Sequence, residues 1–385
     1  MLQWIIIGGG IHGTLLANFL LSSRKVLPHQ IQIIDPHPHL LFNWIHCTRN
    51  CGMEFLRSTL VHHIDIDPFA LKKYSRKAGF RHQFIEPYSR PSLKLFNSHC
   101  ESVIQKNNLA KLHKQAQVQN IHVKRGYLEV ESSSGTLKTK RVLLAIGSGS
   151  LSFPEWSKQV GAQHILSPTF HRQKLNNCKN VVVVGGGISA AQTAIAMSKQ
   201  CPQAKIYLIT NHAPNIRRFD SDPGWISGYL RKFHKIENYT MRRKTIDNAR
   251  YRGSMTKEVA TTLKHITAEK KVHMVVDRIE NAWRVDQEYI LQLTKKDQIV
   301  CDHIILATGF DKKCPGKWLQ TAIKNSSLPR TECGYPIVDK SLHWGNNVYV
   351  SGALSELEIG PVARNIVGAR LAAERIVSDL TKVVT

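Results

Sequence analysis

Two glycine runs carry the clearest chemistry in this chain. Gly8-Gly9-Gly10-Ile11-His12-Gly13 follows the apolar run Ile5-Ile6-Ile7, and Gly185-Gly186-Gly187-Ile188-Ser189-Ala190 follows Val181 to Val184. A β-branched strand running into a glycine turn and then a helix brings backbone close to a pyrophosphate. The first glycine makes the turn, the second admits the anion, and a small third residue lets helix pack on strand. The helix N-terminus then offers its free N–H groups to the phosphates. Gly8, Gly10 and Gly13 are candidates for one such site, and Gly185, Gly187, Ser189 and Ala190 for a second. Two sites of this kind imply two dinucleotides.

The residues beyond each turn distinguish the sites. The strand Ile31 to Ile34 ends in Asp35, 22 residues after Gly13, where a carboxylate accepts hydrogen bonds from a ribose diol, as FAD requires. The matching strand Ile206 to Thr210 ends in Thr210-Asn211-His212 with no acid, and Arg217 and Arg218 follow. Two guanidinium groups suit a 2′-phosphate, so the second site reads as NADP(H). A solvated loop face is the alternative for these arginines.

The elements that must hold these sites imply an α/β fold of two Rossmann-like, doubly wound domains, the FAD domain discontinuous with the NADP(H) domain inserted in it. The expected boundaries are 1–170 for the first part of the FAD domain, 176–310 for the NADP(H) domain and 311–385 for the return. Short strands are expected over Ile121–Val123, Tyr127–Ser132 and Thr136–Lys138, leading into Arg141–Ile146. The second unit carries a basic insertion, 213–265, and the last strand and the helix Pro361–Leu380 return to the first domain.

At 385 residues the chain is long enough for two cores, and 42% hydrophobic residues suit a globular protein. No stretch reaches the roughly 18 uncharged apolar residues of a transmembrane helix. Met1 leads directly into the first core strand without a targeting segment, so a cytoplasmic location is expected. Eight scattered cysteines fit reduced thiols rather than a disulfide framework. The formal net charge of +25 attracts anionic cofactors, and no nucleic-acid recognition motif accompanies it.

The strand Asp302-His303-Ile304-Ile305-Leu306 ends in Ala307-Thr308-Gly309-Phe310, with Pro315 beyond. Glycine there lets the backbone pass close to a cofactor or hinge between domains. This run resembles the signature of flavin-dependent N-hydroxylating monooxygenases, in which an Asp precedes Ala-Thr-Gly, an aromatic residue and a later His or Pro. Gly185, Gly187, Ser189, Ala190 and Gln192 are similar to the NADPH turn of that family and of class B flavin monooxygenases. Trp44, Met53 and Phe55-Leu56-Arg57-Ser58 lie where the family carries a Trp-His pair, a Met-containing flavin loop and a Phe-Leu-Lys-Asp segment.

The resemblance implies that NADPH reduces FAD, that dioxygen adds at C4a of the flavin, and that the hydroperoxyflavin oxygenates a nucleophilic nitrogen or sulfur. The implied partners are a small amine or other nucleophile and dioxygen, with a homo-oligomer left open. Arg57, at the family's amine-binding Lys position, becomes the candidate for orienting NADP or substrate, against a surface arginine on a helix. Thr308 and Gly309 become cofactor-contacting candidates. Gly360-Pro361 reads as a helix start whose positive end faces the flavin pyrimidine. The segment Glu356 to Asn365 does not match ornithine or lysine hydroxylases, which leaves the substrate open.

The other enzyme class is an FAD-dependent NAD(P)H oxidoreductase passing electrons to a disulfide, quinone or protein, and the non-enzymatic one is a flavin-binding sensor or basic scaffold. Cys47 and Cys51, with three residues between them, read as unrelated thiols before a redox pair. His37, His39, His46, His62 and His63 show no zinc spacing, so no metal is expected.

Overall fold

In a computed structural model, described for residues 1–316, 318–319 and 328–382 without the side chains of 381 and 382, the strands form two parallel-cored sheets. Residues 317 and 320–327 of the expected return segment lie outside the described residues. The first sheet runs in the order His343–Gly345, Val348–Val350, Gly135–Leu144, Leu2–Ile7, Ile31–Asp35, His113–Gln115. The second runs Val272–Val276, Lys205–Thr210, Asn180–Val184, His303–Leu306, Gln163–His164. In each, the strand feeding a glycine turn lies inside the sheet and is apolar on both faces, as a strand covered by helices on both sides must be.

Some expected elements shift. Thr136–Lys138 and Arg141–Ile146 are one strand, Gly135–Leu144, antiparallel to Tyr127–Ser132 at its start and parallel to Leu2–Ile7 further on. Gln163–His164, expected in the first unit, pairs with Ile305 and Leu306 in the second sheet. The basic insertion carries the helices Gly228–His234, Tyr239–Ala249 and Lys257–Ala268. Trp225, Phe233 and Ile246 from it are buried in the core of the first unit beside Leu357 and Ile359. Burying these large side chains explains why a basic stretch folds back onto the FAD-type unit.

Charge completes that contact. Glu356 is 0% exposed, and its carboxylate takes Arg243 at 2.8 Å, Arg250 at 2.9 Å and Arg364 at 2.5 Å. Glu358 beside it pairs with Arg375 at 3.1 Å and Arg242 at 3.4 Å. Burial alone would raise the Glu356 pKa, yet the hydrogen bonds and charges of Arg364, Arg243 and Arg250 outweigh it and hold the carboxyl below its ordinary value. The group is therefore ionised in the folded chain.

Replacing Glu356 leaves three guanidinium groups near one another without a counter-charge. We expect Glu356→Ala to cost about 3–5 kcal/mol in chemical denaturation, the usual penalty for removing one partner of a buried ion pair. With its folded pKa depressed, the contribution of Glu356 is complete above the ordinary glutamate value of 4.5 and is lost as pH falls below it. Denaturant midpoints at pH 7 and below pH 4.5 should differ more in the wild type than in Glu356→Gln.

Candidate functional site

The first glycine turn is set by close packing. A Cβ on Gly8, at φ +111°, would collide with the Ala145 carbonyl, and one on Gly13 with the Gly8 carbonyl, whereas Gly10 faces open space. The helix Ile11–Ser22 starts on Gly10 with no side-chain cap, leaving its first N–H groups for a ligand. Asp35 at the end of the neighbouring strand accepts from Gly9 N–H at 2.6 Å and from His37 N–H at 2.9 Å, which fixes its carboxylate beside the turn. Gly8, Gly10 and Asp35 border a cleft of about 240 Å³ that Phe42, Asn43 and Gly147 also line.

His12, one residue before Gly13, does not line this cleft. Its Nδ1 lies 2.7 Å from Ser351 Oγ, while its Nε2 is buried with no hydrogen-bond partner. Burial, only partly offset by the Arg364 backbone, pushes its pKa down to about 4, so the ring is neutral at neutral pH. Uncapped N–H groups, the open space at Gly10 and the strand-end carboxylate together fit FAD. The ribose would meet Asp35 and the phosphates the Gly8 to Gly10 turn.

The second turn repeats the pattern. Gly185, at φ +150°, lies where a Cβ would meet the Ala307 carbonyl at 2.5 Å, and buried Ala190 packs against it. The helix Ile188–Gln200 starts on Gly187, again without a side-chain cap. Gly185, Gly187 and Ser189 open on a cavity of about 1030 Å³ between the two sheets, and Thr308 and Gly309 lie on its wall. Thr308 Oγ1 donates to the Ser152 carbonyl at 2.5 Å, and Ser152 N–H donates to the Gly309 carbonyl at 2.9 Å, joining the Ala-Thr-Gly end to the chain arriving from the first unit. Asp302 of the same signature accepts from Lys179 N–H at 2.7 Å and Asn180 N–H at 3.1 Å, so it fixes the start of the glycine-turn strand. Gly147 ends the first cleft and Ser148 begins the cavity, so the two are contiguous along the chain.

Four expectations need correction. Arg217 and Arg218 do not line the cavity. Asn215–Ile216 pairs with Ser254–Met255, and the following guanidinium groups lie over the rings of Tyr251 at 4.8 Å and Tyr88 at 5.1 Å. Arg252 and Arg278 line it instead, with His212, whose ring fills the space above Gly186. Trp44 and Met53 also lie off both clefts. Phe42 and Asn43 face the first turn, and Trp44, more than half a turn further round the helix Phe42–Cys51, donates to Asn97 Oδ1 at 2.9 Å and packs on Phe96. Met53 borders a separate groove with Glu54 and Lys199.

Gly360-Pro361 does not start a helix. Gly360, at φ +84°, ends the short helix Glu356–Ile359 against Trp225, and the last helix begins at Ile366. Arg364 and Asn365 are the residues of that segment which reach the cavity. Arg57 does line the cavity, but from a bend rather than a helix. All three of its guanidinium nitrogens are engaged, by Asp220 at 2.6 Å, by the carbonyls of Arg217, Arg218 and Phe219, and by Ser254. Arg57 thus ties the first unit to the loop over the second turn. Arg278 and Arg364 were missed as wall residues because they reach the cavity from different local contexts, with no shared motif.

With this geometry in view, comparison with known proteins places the chain. Residues 2–369 match the family model described as pyridine nucleotide-disulphide oxidoreductase. The chain belongs to this family. A search of curated proteins found no match. Among solved structures, the ornithine N-hydroxylase of Kutzneria sp. 744 is similar at 15% identity and TM-score 0.77, with 100% of each chain covered. The L-lysine 6-monooxygenase of Pseudomonas syringae is similar at 17% identity and TM-score 0.78, also with 100% of each covered. The bacillithiol disulfide reductase of Staphylococcus aureus is similar at 13% identity and TM-score 0.59, with 98% of each covered. These likenesses establish the shared two-sheet fold.

The thiols nearest the site are not poised for exchange. Burial, with Cys51 adding to it, pushes Cys47 up to about 12, and burial pushes Cys51 up to about 11 against the pull of Ser189 and Arg172. Both remain protonated at neutral pH, which removes the thiolate that disulfide exchange needs. We expect Cys47→Ser and Cys51→Ser to keep NADPH oxidation within about twofold of wild type, and iodoacetamide to label neither thiol at a rate above that of an ordinary exposed cysteine. Steady-state assays and peptide mass spectrometry check this.

Proposed function

We propose that this chain is an FAD- and NADPH-dependent monooxygenase that transfers one oxygen atom to a nucleophilic heteroatom, an amine nitrogen first. The observation that carries the reading is a pair of uncapped glycine-turn helices, one at the first cleft and one at the large cavity, with Gly147-Ser148 running from one to the other and no cysteine among the described residues that line either. The Kutzneria enzyme, whose fold this chain shares, was solved with reduced FAD, NADP+ and L-ornithine. When bound, FAD supplies hydride acceptance and oxygen activation, chemistry that no side chain provides.

The protein's own contribution is placement. Gly8 to Gly10 and Asp35 would hold the adenosine half of FAD. Gly185 to Ser189 hold the pyrophosphate of NADPH, and Arg252, Arg278 and His212 lie where the 2′-phosphate would sit beyond the strand Lys205–Thr210. Arg364, fixed by Glu356, by the Ser148 carbonyl at 3.2 Å and by Tyr335 at 3.0 Å, presents a rigid cation near the first unit's side of the cavity. A cation there favours negative charge on a reduced ring.

Two measurements test the reading. Supplied with NADPH and ¹⁸O₂, the protein should place one labelled oxygen in an amine product; oxygen returned entirely as hydrogen peroxide across a broad amine panel would contradict it. Arg252→Ala and Arg278→Ala should each raise the KM for NADPH about tenfold and that for NADH far less, since a charge-assisted phosphate contact is worth about 1.5–3 kcal/mol. Arg217→Ala and Arg218→Ala, whose guanidinium groups lie on tyrosine rings, should change the KM for NADPH less than about twofold.

A further inference from the structure

A second pocket, of about 230 Å³, adjoins the large cavity and shares Arg57, Asp220 and Asn365 with it. Its walls differ in character from the cavity's. The rings of Tyr88 and Phe219 meet edge-on, 5.4 Å apart, and Ile226, Val362 and Val367 supply aliphatic surface. Tyr88 sits at φ +81°, in the left-handed region that aromatic residues rarely adopt. Such backbone costs about 1–3 kcal/mol and concentrates where a binding surface must be held in place.

The charges in this pocket run against those of the whole chain. Asp220 and Asp222 both line it; among the described residues Arg57 is the one lysine or arginine that does, with Arg218 over the Tyr88 ring at 5.1 Å. Arg57 pairs with Asp220 Oδ1, and Asp222 Oδ1 accepts from Gly224 N–H at 2.8 Å. One oxygen of each carboxylate is left for a ligand. His62 is neutral, pushed down to about 4 by burial and by His63 and Arg370. In a protein of net charge +25, this wall therefore carries two carboxylates against one cation already engaged.

We infer that this pocket is a subsite for a small amine with an apolar body and no carboxylate. The nitrogen lies at the rim shared with the large cavity, within reach of Asp220 and Asp222, and the hydrocarbon lies against Phe219, Ile226, Val362 and Val367. A substrate carboxylate would find the one described lining cation, Arg57, already paired with Asp220, and would face two like charges. As the substrate site of an oxygenation, the assignment rests on the function proposed above; as a binding site, it can be measured apart from turnover.

Calorimetric titration of the flavin-loaded protein with hexylamine, ornithine and hexanoate, without NADPH, tests it. We expect hexylamine to bind about tenfold or more tighter than either of the others, a difference of ~1.4 kcal/mol. Asp222→Asn and Ile226→Lys should each weaken hexylamine by about tenfold, the second by placing an ammonium in the pocket. Ile226 is 40% exposed, so its replacement tests the pocket without emptying the core, and thermal melting confirms that both variants are folded. Equal or tighter binding of ornithine or hexanoate, or hexylamine binding indifferent to both substitutions, overturns the assignment. Hexylamine binding without ¹⁸O incorporation would keep the pocket and sink the monooxygenase reading, whereas labelled product from ornithine without hexylamine binding would do the reverse.

Discussion

Two helices in this protein begin on a glycine that has no side chain to cap them, and the rest of the structure is arranged around the N–H groups this leaves free. At Gly10 and at Gly187 the first turn of the helix offers donors and a positive dipole end to whatever lies beside it. In both places the glycine two residues earlier, Gly8 or Gly185, has a positive φ and lies so close to a neighbouring carbonyl, Ala145 or Ala307, that no Cβ would fit. The sheets hold these turns at the carboxyl ends of their strands, where open α/β folds bind their ligands.

Holding the cleft at the first turn beside the cavity at the second needs contacts between the units, and charge makes them. Arg57 reaches from the first unit to the loop 217–220 and Ser254, and the buried Glu356 gathers Arg243 and Arg250 of the insertion with Arg364 of the return segment. Arg250 and Arg364 then form part of the cavity wall, so the ion cluster that fixes the units also sets the cavity's positive charge. The insertion's apolar residues, Trp225, Phe233 and Ile246, bury themselves in the first unit and make the arrangement a packed one rather than a purely electrostatic one.

Local geometry was legible in the sequence wherever neighbours in the chain determine it. The strand, turn and helix at Gly8 to Gly13 and at Gly185 to Ala190, and the strand end at Asp35, follow from steric rules acting over a few residues. Arg217 and Arg218 were misread because a two-residue pairing of Asn215–Ile216 with Ser254–Met255, set by a contact nearly forty positions away, turns them onto tyrosine rings. Gly360-Pro361 has the composition of a helix start, yet Gly360 takes a positive φ and ends the preceding turn. Helix phase decided Trp44, since a register of two residues separates the face of Phe42 from its own. Arg278 and Arg364 gave no local signal at all, because their places on the wall arise from the folding of separate segments.

The central claim is that the first glycine turn, with Asp35, would hold FAD and the second would hold NADPH, so that bound FAD would supply hydride acceptance from the nicotinamide. Rapid anaerobic mixing of the FAD-loaded protein with NADPH, following loss of the flavin's yellow absorbance, tests this most directly. The account predicts complete bleaching in a single turnover, with a rate that saturates as NADPH is raised. A protein that takes up no FAD, or whose bound flavin stays yellow under excess NADPH, would contradict it.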